Sequence, residues 1–401
     1  MIEVKLKHIS QDKFGFKSRI VSIKLKKMIQ TPNRAITNYE IYKKRKLPTQ
    51  IHLKNDIVFH AEPVLSPDFP INRRSIASKI NSFETLHGDL VKIHELIIPC
   101  IWPKKDLLKN VNFVRKLMNI IVVMFAESDA EYGYKIVGIP PLYGVTLSEY
   151  RQILKDVKGN FNKYNMEILP IFALDYNFES LVEYAVKDLN LSLIGFKYGQ
   201  IKNYVPQYLF MRNYYADKDV AFMSVNTKRY ENIGVSDFAV MHLLPFTGAD
   251  LFVSWIGPFG WGGKLVPSLR VLDRQNLRLP LLMTLDERQR DEIFREFLKL
   301  ANIKDVELEK VVEVLSKQEK LKKVIERIIQ LLNSKQRDKI KMGRELCERI
   351  NSLTRIQEVI ASSKELYELQ QYIKQDDVNH YLKNRPNLKM VGQRVNIAPL
   401  S

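Results

Sequence analysis

Glu167-Ile168-Leu169-Pro170-Ile171-Phe172-Ala173-Leu174 is followed by Leu191-Ser192-Leu193-Ile194-Gly195-Phe196 and then by Val220-Ala221-Phe222-Met223-Ser224-Val225. Each run is short, apolar and rich in β-branched or aromatic residues. Polar residues close each one: Asp175, then Lys197-Tyr198-Gly199, then Asn226. This is the pattern of a strand buried on both faces, as in a parallel sheet. Between the first two runs, Phe178, Leu181, Val182, Ala185 and Val186 recur at spacings of three and four, which predicts an amphipathic helix over residues 176–189. Strand and helix therefore alternate in units of roughly 25–30 residues, the signature of βαβ architecture.

Working outward, the same reading predicts strands at 120–126, 135–139 and 250–255, with two more at 19–25 and 57–64. The count reaches about eight, so the expected class is α/β, a (β/α)8 TIM-type barrel. An open doubly wound sheet is the alternative. After Thr284 the texture changes. From 288 to 376 there is no proline, and Leu, Ile and Val recur at helical spacing, which predicts an all-helical region with breaks at Asn302, Asn333-Ser334 and Asn351-Ser352. Thr284 or Asp286 is its expected N-cap. The expected organisation is a barrel over 1–283, a helical appendage over 284–383 and an extended tail over 384–401. The appendage can pack on the barrel, form a homodimer or heteromer, or clamp a nucleic acid, and its sequence does not choose among these.

Composition narrows the function. The chain has 401 residues, 63 Lys and Arg against 45 Asp and Glu, and a formal charge of +18. Residues 1–50 hold 13 basic and 3 acidic residues, whereas 281–401 hold 24 and 19. An excess concentrated in this way favours a polyanion, and nucleic acid is the first candidate, with Lys24, Lys26, Lys27, Arg34, Lys43, Lys44, Arg45 and Lys46 as its expected contacts. A plain solubilising surface is the other reading. No run of eighteen apolar residues occurs, so no membrane span is expected. Residues 1–5 do not read as a signal peptide, and a cytoplasmic location is expected. Two distant cysteines, Cys100 and Cys347, exclude a disulfide scaffold and a Cys-rich zinc cluster. The seven histidines form no metal motif, so neither metal nor cofactor is expected. His242, inside an apolar run, reads as a satisfied core histidine.

In a barrel, chemistry lies where strands end. The run at 120–126 closes with Glu127 and Asp129, a candidate pair for acid/base work. Asp175 is a candidate for substrate binding, although an Asp there also serves to open the next helix. Lys197, Tyr198 and Gly199 close another run and are further substrate-binding candidates. Residues 257–264 form the densest glycine cluster, without matching a phosphate-binding fingerprint. Trp255 and Trp261 there are candidates for stacking on a base, or for packing inward.

Two segments resemble the tRNA-guanine transglycosylase superfamily, in its archaeal tRNA and DNA-modifying branches. Phe16-Lys17-Ser18-Arg19-Ile20 leading to Ile29-Gln30-Thr31-Pro32 is similar to the opening strand pair of that family. The stretch from Phe238 to Trp255, with Gly248-Ala249-Asp250-Leu251-Phe252-Val253-Ser254 at its end, looks like its helix followed by a Gly-x-Asp-x-Phe-Asp-Ser strand. The resemblance covers roughly residues 14–265. It implies a pentosyltransferase in which an Asp attacks C1′ of a guanosine, guanine leaves, and a 7-deazaguanine base displaces the Asp. The target nucleotide has to leave its stack to react. The departures are specific. Val253 stands where the nucleophile is expected, no Asp-Ser-Gly motif occurs between 60 and 105, and the zinc-binding cysteines are missing. Asp250 matches the first Asp of the motif and, with Asp129 and Glu127, is the candidate to replace the lost acid. A non-catalytic subunit that binds nucleic acid or protein is the second implication, and apart from the resemblance an unrelated barrel enzyme using Glu127, Asp129 and Asp175 on a small molecule is a further reading.

Overall fold

The computed structural model describes residues 2–13, 15–24, 28–45, 57–64, 96–103, 105–132, 136–254, 269–302 and 306–397. Eight parallel strands close a barrel: β4 (Asn33–Thr37), β5 (Ile57–Val64), β6 (Leu96–Pro103), β7 (Ile136–Ile139), β8 (Glu167–Phe172), β9 (Leu193–Lys197), β10 (Ala221–Thr227) and β11 (Leu251–Ser254). Closure is the pairing of β11 with β4, Leu251 opposite Asn33 and Val253 opposite Ala35. The (β/α)8 expectation therefore holds.

Two of the eight expected strands are something else. Residues 120–126 lie inside helix α2 (Val111–Tyr132), whose Val114, Leu117, Met118 and Ile121 are buried at helical spacing, a longer pattern that outweighs the local β-branched run. Residues 19–25 fall on β2 (Lys17–Lys24), which lies outside the barrel between β1 (Glu3–Gln11) and β3 (Met28–Gln30) in an antiparallel sheet. The strands that take their places are β4 and β6. Helices α1 (Asn38–Arg45), α3 (Leu147–Asn162), α4 (Phe178–Lys187) and α5 (Val205–Tyr214) follow β4, β7, β8 and β9. Between β10 and β11 the chain forms two 3-10 turns, Val240–His242 and Leu244–Thr247, and no α-helix. Gly248 ends them at φ 94°, with the Arg212 backbone so close that a Cβ would stand 2.6 Å from its nitrogen.

The small sheet plugs the barrel. Ile2, Val4, Val21, Ile23 and Ile29 join the barrel interior in one apolar cluster with Ala35, Phe59, Ile98, Leu169, Leu193, Met223, Leu251 and Val253. Polar bonds hold the plug at the strands' N-terminal ends. The Ile2 N–H donates to Glu167 at 2.7 Å, and Arg19 forms a two-pronged ion pair with Asp250 at 3.0 and 2.7 Å.

The C-terminal helices are α6 (Glu287–Ala301), α7 (Val306–Ser316), α8 (Gln318–Leu332), α9 (Arg337–Lys374), α10 (Val378–Lys383) and α11 (Pro386–Arg394). Asp286 caps α6, accepting from the Gln289 N–H while Gln289 accepts from the Asp286 N–H. Asn302 and Asn333 end α6 and α8 as expected, but Asn351-Ser352 breaks nothing, because α9 runs through it for 38 residues. Its second half is buried, and one hydrophobic core runs from the barrel wall into these helices, so they form a continuation of the barrel's own core. The expected extended tail over 384–401 is helical at Pro386–Arg394. Leu388 and Val391 are buried there, and Gly392 lies against the Phe16 ring. No described helix is long and apolar enough to cross a membrane.

Candidate functional site at the open end of the barrel

The end of the barrel opposite the plug is where the strands point their C-termini. Along β9, Leu193 joins the interior and Ile194 and Phe196 the outer layer, so the two-residue period puts Lys197 on the inner register at the rim. Gly195 lies one inner step below it, and Ile171 takes the space that a side chain there would need. Lys197 is half-buried and its Nζ donates to Tyr143 Oη at 3.2 Å. Tyr143 follows β7, Lys105 follows β6 and Asp175 follows β8, so four consecutive strand ends contribute one residue each. The Lys105 and Lys197 ammonium groups lie 5.0 and 5.5 Å from the Tyr143 ring centroid.

Electrostatics follow from this crowding. Burial, and next the charge of Lys105, lower the pKa of Lys197, so its neutral amine is easier to reach than that of a solvated lysine. Burial raises the pKa of Tyr143, and the nearby Asp175 and Tyr204 push it the same way, so its phenol stays protonated. Asp175 itself is raised, because loss of solvent outweighs the N–H bond it accepts from Asn177 at 3.0 Å. That bond is a turn opening α4, so the helix-opening role weighed for Asp175 is present, and its charge still acts on the rim.

Tyr198 is buried and Gly199 is structural. A Cβ at Gly199 would meet the Tyr204 ring at 2.5 Å, so only glycine lets that ring lie against the chain, and its carbonyl accepts from Tyr208 Oη at 2.9 Å. Glu231, in the segment after β10, is buried with its pKa raised by burial, and its charge reaches Tyr198. Lys105, Tyr143, Tyr204 and Glu231 were not expected. Tyr143 stands four residues beyond the expected strand at 135–139, and Lys105 would have been reached once β6 and its prolines were recognised.

Several expected site residues are elsewhere. Glu127 and Asp129 lie within α2 rather than at a strand end, and their side chains fall outside the described residues. Asp250 immediately precedes β11, at the plugged end, where it is 2% exposed, paired with Arg19 and accepting from the Phe222 N–H at 2.8 Å. Its carboxylate is thus a structural tie, remote from the open rim. Val253 is fully buried in the apolar interior. Trp255 and Trp261 lie outside the described residues.

The expected nucleic-acid contacts fare differently again. Arg34 is fully buried on the outer wall of β4, ion-paired to Glu40, donating to Ser254 Oγ at 2.8 Å, and is no surface contact. A buried arginine needs such partners. Here Glu40 also pairs with Arg355 of α9 at 2.6 Å, and Glu358 pairs with Arg355 and Arg229. Lys24 is exposed, 3.8 Å from Glu3, at the plugged end of the barrel. Lys26, Lys27 and Lys46, and the side chains of Lys43, Lys44 and Arg45, lie outside the described residues. His242 is buried as expected but is not satisfied: among the described residues neither ring nitrogen has a hydrogen-bond partner, and burial lowers its pKa to about 4. Among the described residues no group of three or more His, Cys, Asp or Glu can hold a metal.

No protein-family model matches the chain, and no curated protein matches it. Among solved structures it is similar to a GH113 β-1,4-mannanase, at 9% identity and a TM-score of 0.33, over 56% of this chain and 87% of the mannanase, a likeness too loose to bear on what the barrel does.

Proposed function

We propose that the chain is a transglycosylase-like barrel that binds nucleic acid, tRNA or DNA, and serves guanine or 7-deazaguanine modification as a binding subunit without base exchange of its own. The observation that carries this reading is the rim itself. Lys105, Lys197, Tyr143 and Tyr204 are grouped there, Tyr176 is 88% exposed beside Asp175, and the whole chain carries a charge of +18. Lysines draw a polyanion, and an exposed tyrosine offers its face to a base that has left its stack. Exchange is set aside because Val253 has no oxygen with which to attack C1′, and its apolar surroundings suit valine rather than a carboxylate.

Fluorescence anisotropy with tRNA and with duplex DNA, between about 50 and 300 mM salt, tests the binding. The expected result is an affinity that falls linearly on a log–log plot, with a slope of about −0.9 for each phosphate neutralised on duplex DNA. Absence of binding to both, or an affinity indifferent to salt, would falsify it. Release of labelled guanine in the presence of a 7-deazaguanine base would overturn the non-catalytic half. A second reading, a barrel enzyme acting on a small molecule, is favoured by one contact, the Lys197–Tyr143 hydrogen bond beside Asp175.

A further inference from the structure

A lysine needs two things of its own to act as a nucleophile: a neutral nitrogen and a proton carrier within hydrogen-bond reach. Most lysines fail the first, because solvent or a carboxylate holds the proton. Lys197 is half-buried on the inner register of β9, and among the described residues no carboxylate pairs with it. Its hydrogen-bond partner is a phenol, Tyr143 Oη at 3.2 Å. A second ammonium, Lys105, flanks the same ring from 5.0 Å. Two cations about one tyrosine disfavour a second proton and leave a place for an anion.

We propose that Lys197 is an amine nucleophile that captures a phosphate-bearing sugar aldehyde as an imine, with Tyr143 relaying the protons and Lys105 receiving the phosphate. The lowered pKa of Lys197, from burial and from Lys105, agrees with this geometry. The raised pKa of Tyr143 keeps its proton available for transfer. Asp175 is the acid of the rim and Tyr204 its other ring. Both act on the Tyr143 phenol.

The step balances without an external oxidant or reductant. The Lys197 nitrogen lone pair forms a bond to the aldehyde carbon, and the C=O π pair moves to oxygen, which takes the phenolic proton of Tyr143. The Tyr143 oxygen then recovers a proton from the nitrogen, giving a neutral carbinolamine. That proton passes to the hydroxyl, which departs as water while the nitrogen lone pair closes the C=N bond. A final proton moves from nitrogen back to the Tyr143 oxygen, so one amine and one aldehyde become one imine and one water. The aldehyde has two sources of the same chemistry: a free sugar phosphate, or the ring-opened sugar of an abasic nucleotide. The second source rests on the nucleic-acid reading above, and the first does not.

The experiment incubates the full chain with ribose 5-phosphate, and separately with an oligonucleotide holding one abasic site, then adds borohydride and maps adducts by peptide mass spectrometry. One adduct at Lys197 is expected with at least one probe, and none at that position in Lys197→Arg, whose thermal melt should match the parent. Tyr143→Phe should slow trapping by on the order of 100-fold, and ribose without phosphate should trap more slowly than ribose 5-phosphate. No adduct with either probe overturns the proposal, and so do adducts spread over exposed lysines and unchanged in total by Lys197→Arg. Trapping of ribose 5-phosphate by a chain that binds neither tRNA nor DNA would sustain the proposal and sink the nucleic-acid reading. Tight nucleic-acid binding without trapping would do the reverse.

Discussion

The two ends of the barrel are built on opposite terms. At the plugged end the buried ion pair is matched: Arg19 meets Asp250 through two hydrogen bonds and also donates to the Val220 carbonyl at 2.7 Å. At the open end, the charges are mismatched. Lys105 and Lys197 share a tyrosine rather than an acid, and Asp175 spends one oxygen on a backbone turn. Matched buried charges fix a structure, because removing one partner strands the other. Unmatched, partly solvated groups add little to stability and keep their chemistry free for a ligand. The contrast puts the structural ties at one end and leaves the proposed recognition to the other, within a single closed sheet.

The largest test strikes the plugged end. Asp250→Ala leaves the Arg19 guanidinium without its carboxylate in a buried site, and should cost about 3–5 kcal/mol, read as a lowered urea midpoint. Adding Arg19→Met to the same chain should return part of that loss. A cost below about 1 kcal/mol would remove the distinction between the ends.

The wall between them carries the next effect. His242 has a pKa of about 4 in the fold and 6.5 as its ordinary value, because burial disfavours the charged ring, with Glu365 opposing and Arg385, Arg274 and Arg34 assisting. A base whose pKa is depressed on folding binds fewer protons in the native state than in the unfolded one. Its contribution is therefore fully present above pH 6.5 and is lost as the pH falls towards 4, up to about 3 kcal/mol. Glu358 is lowered to about 2 by Arg229 and Arg355 against the pull of burial, so its stabilisation begins to fade only below its ordinary value of 4.5. Between pH 6.5 and 4.5 the histidine therefore lowers stability as the pH falls, whereas Glu231, Asp175 and Asp250, whose pKa values burial raises, act with the opposite sign. His242→Leu should remove that loss, so that the variant's stability falls less than the parent's from pH 6.5 to 4.5, and an equal fall in both would place the titrating group elsewhere.

The smallest expected change belongs to the rim. Asp175→Ala should change stability by no more than about 0.5 kcal/mol, read from the urea midpoint, because the residue is exposed and its turn is one hydrogen bond. A loss comparable to that of Asp250→Ala would mean that the rim, too, is structural.

The strands β8 to β11 could be read from the sequence because each is a short apolar run between polar punctuation, and burial on both faces writes that pattern directly. The strand β6 could not, since Pro99 and Pro103 argue against a central strand and the chain here tolerates both. The helix α2 hid for the opposite reason: its run of β-branched residues imitates a strand locally, and only the longer period reveals the turn. The same limits shaped the site. Lys197 and Asp175 were found because their strands were, whereas Lys105 was missed along with β6 and Tyr143 lies four residues past the end of β7. Arg34 was misassigned because charge in a sequence does not disclose burial, and its partners Glu40 and Ser254 are separated by more than two hundred residues.

The position of α9 and α11 sets the order in which this molecule can be completed. Gln370 donates to the carbonyls of Gln30 and Pro32 at 3.1 and 2.9 Å, and Gly392 is pressed against Phe16. The floor of the barrel is therefore fastened by residues that leave the ribosome more than three hundred positions after the strands they secure. During synthesis these fastenings can form only after the ties of the first hairpin to Glu167 and Asp250 are already available.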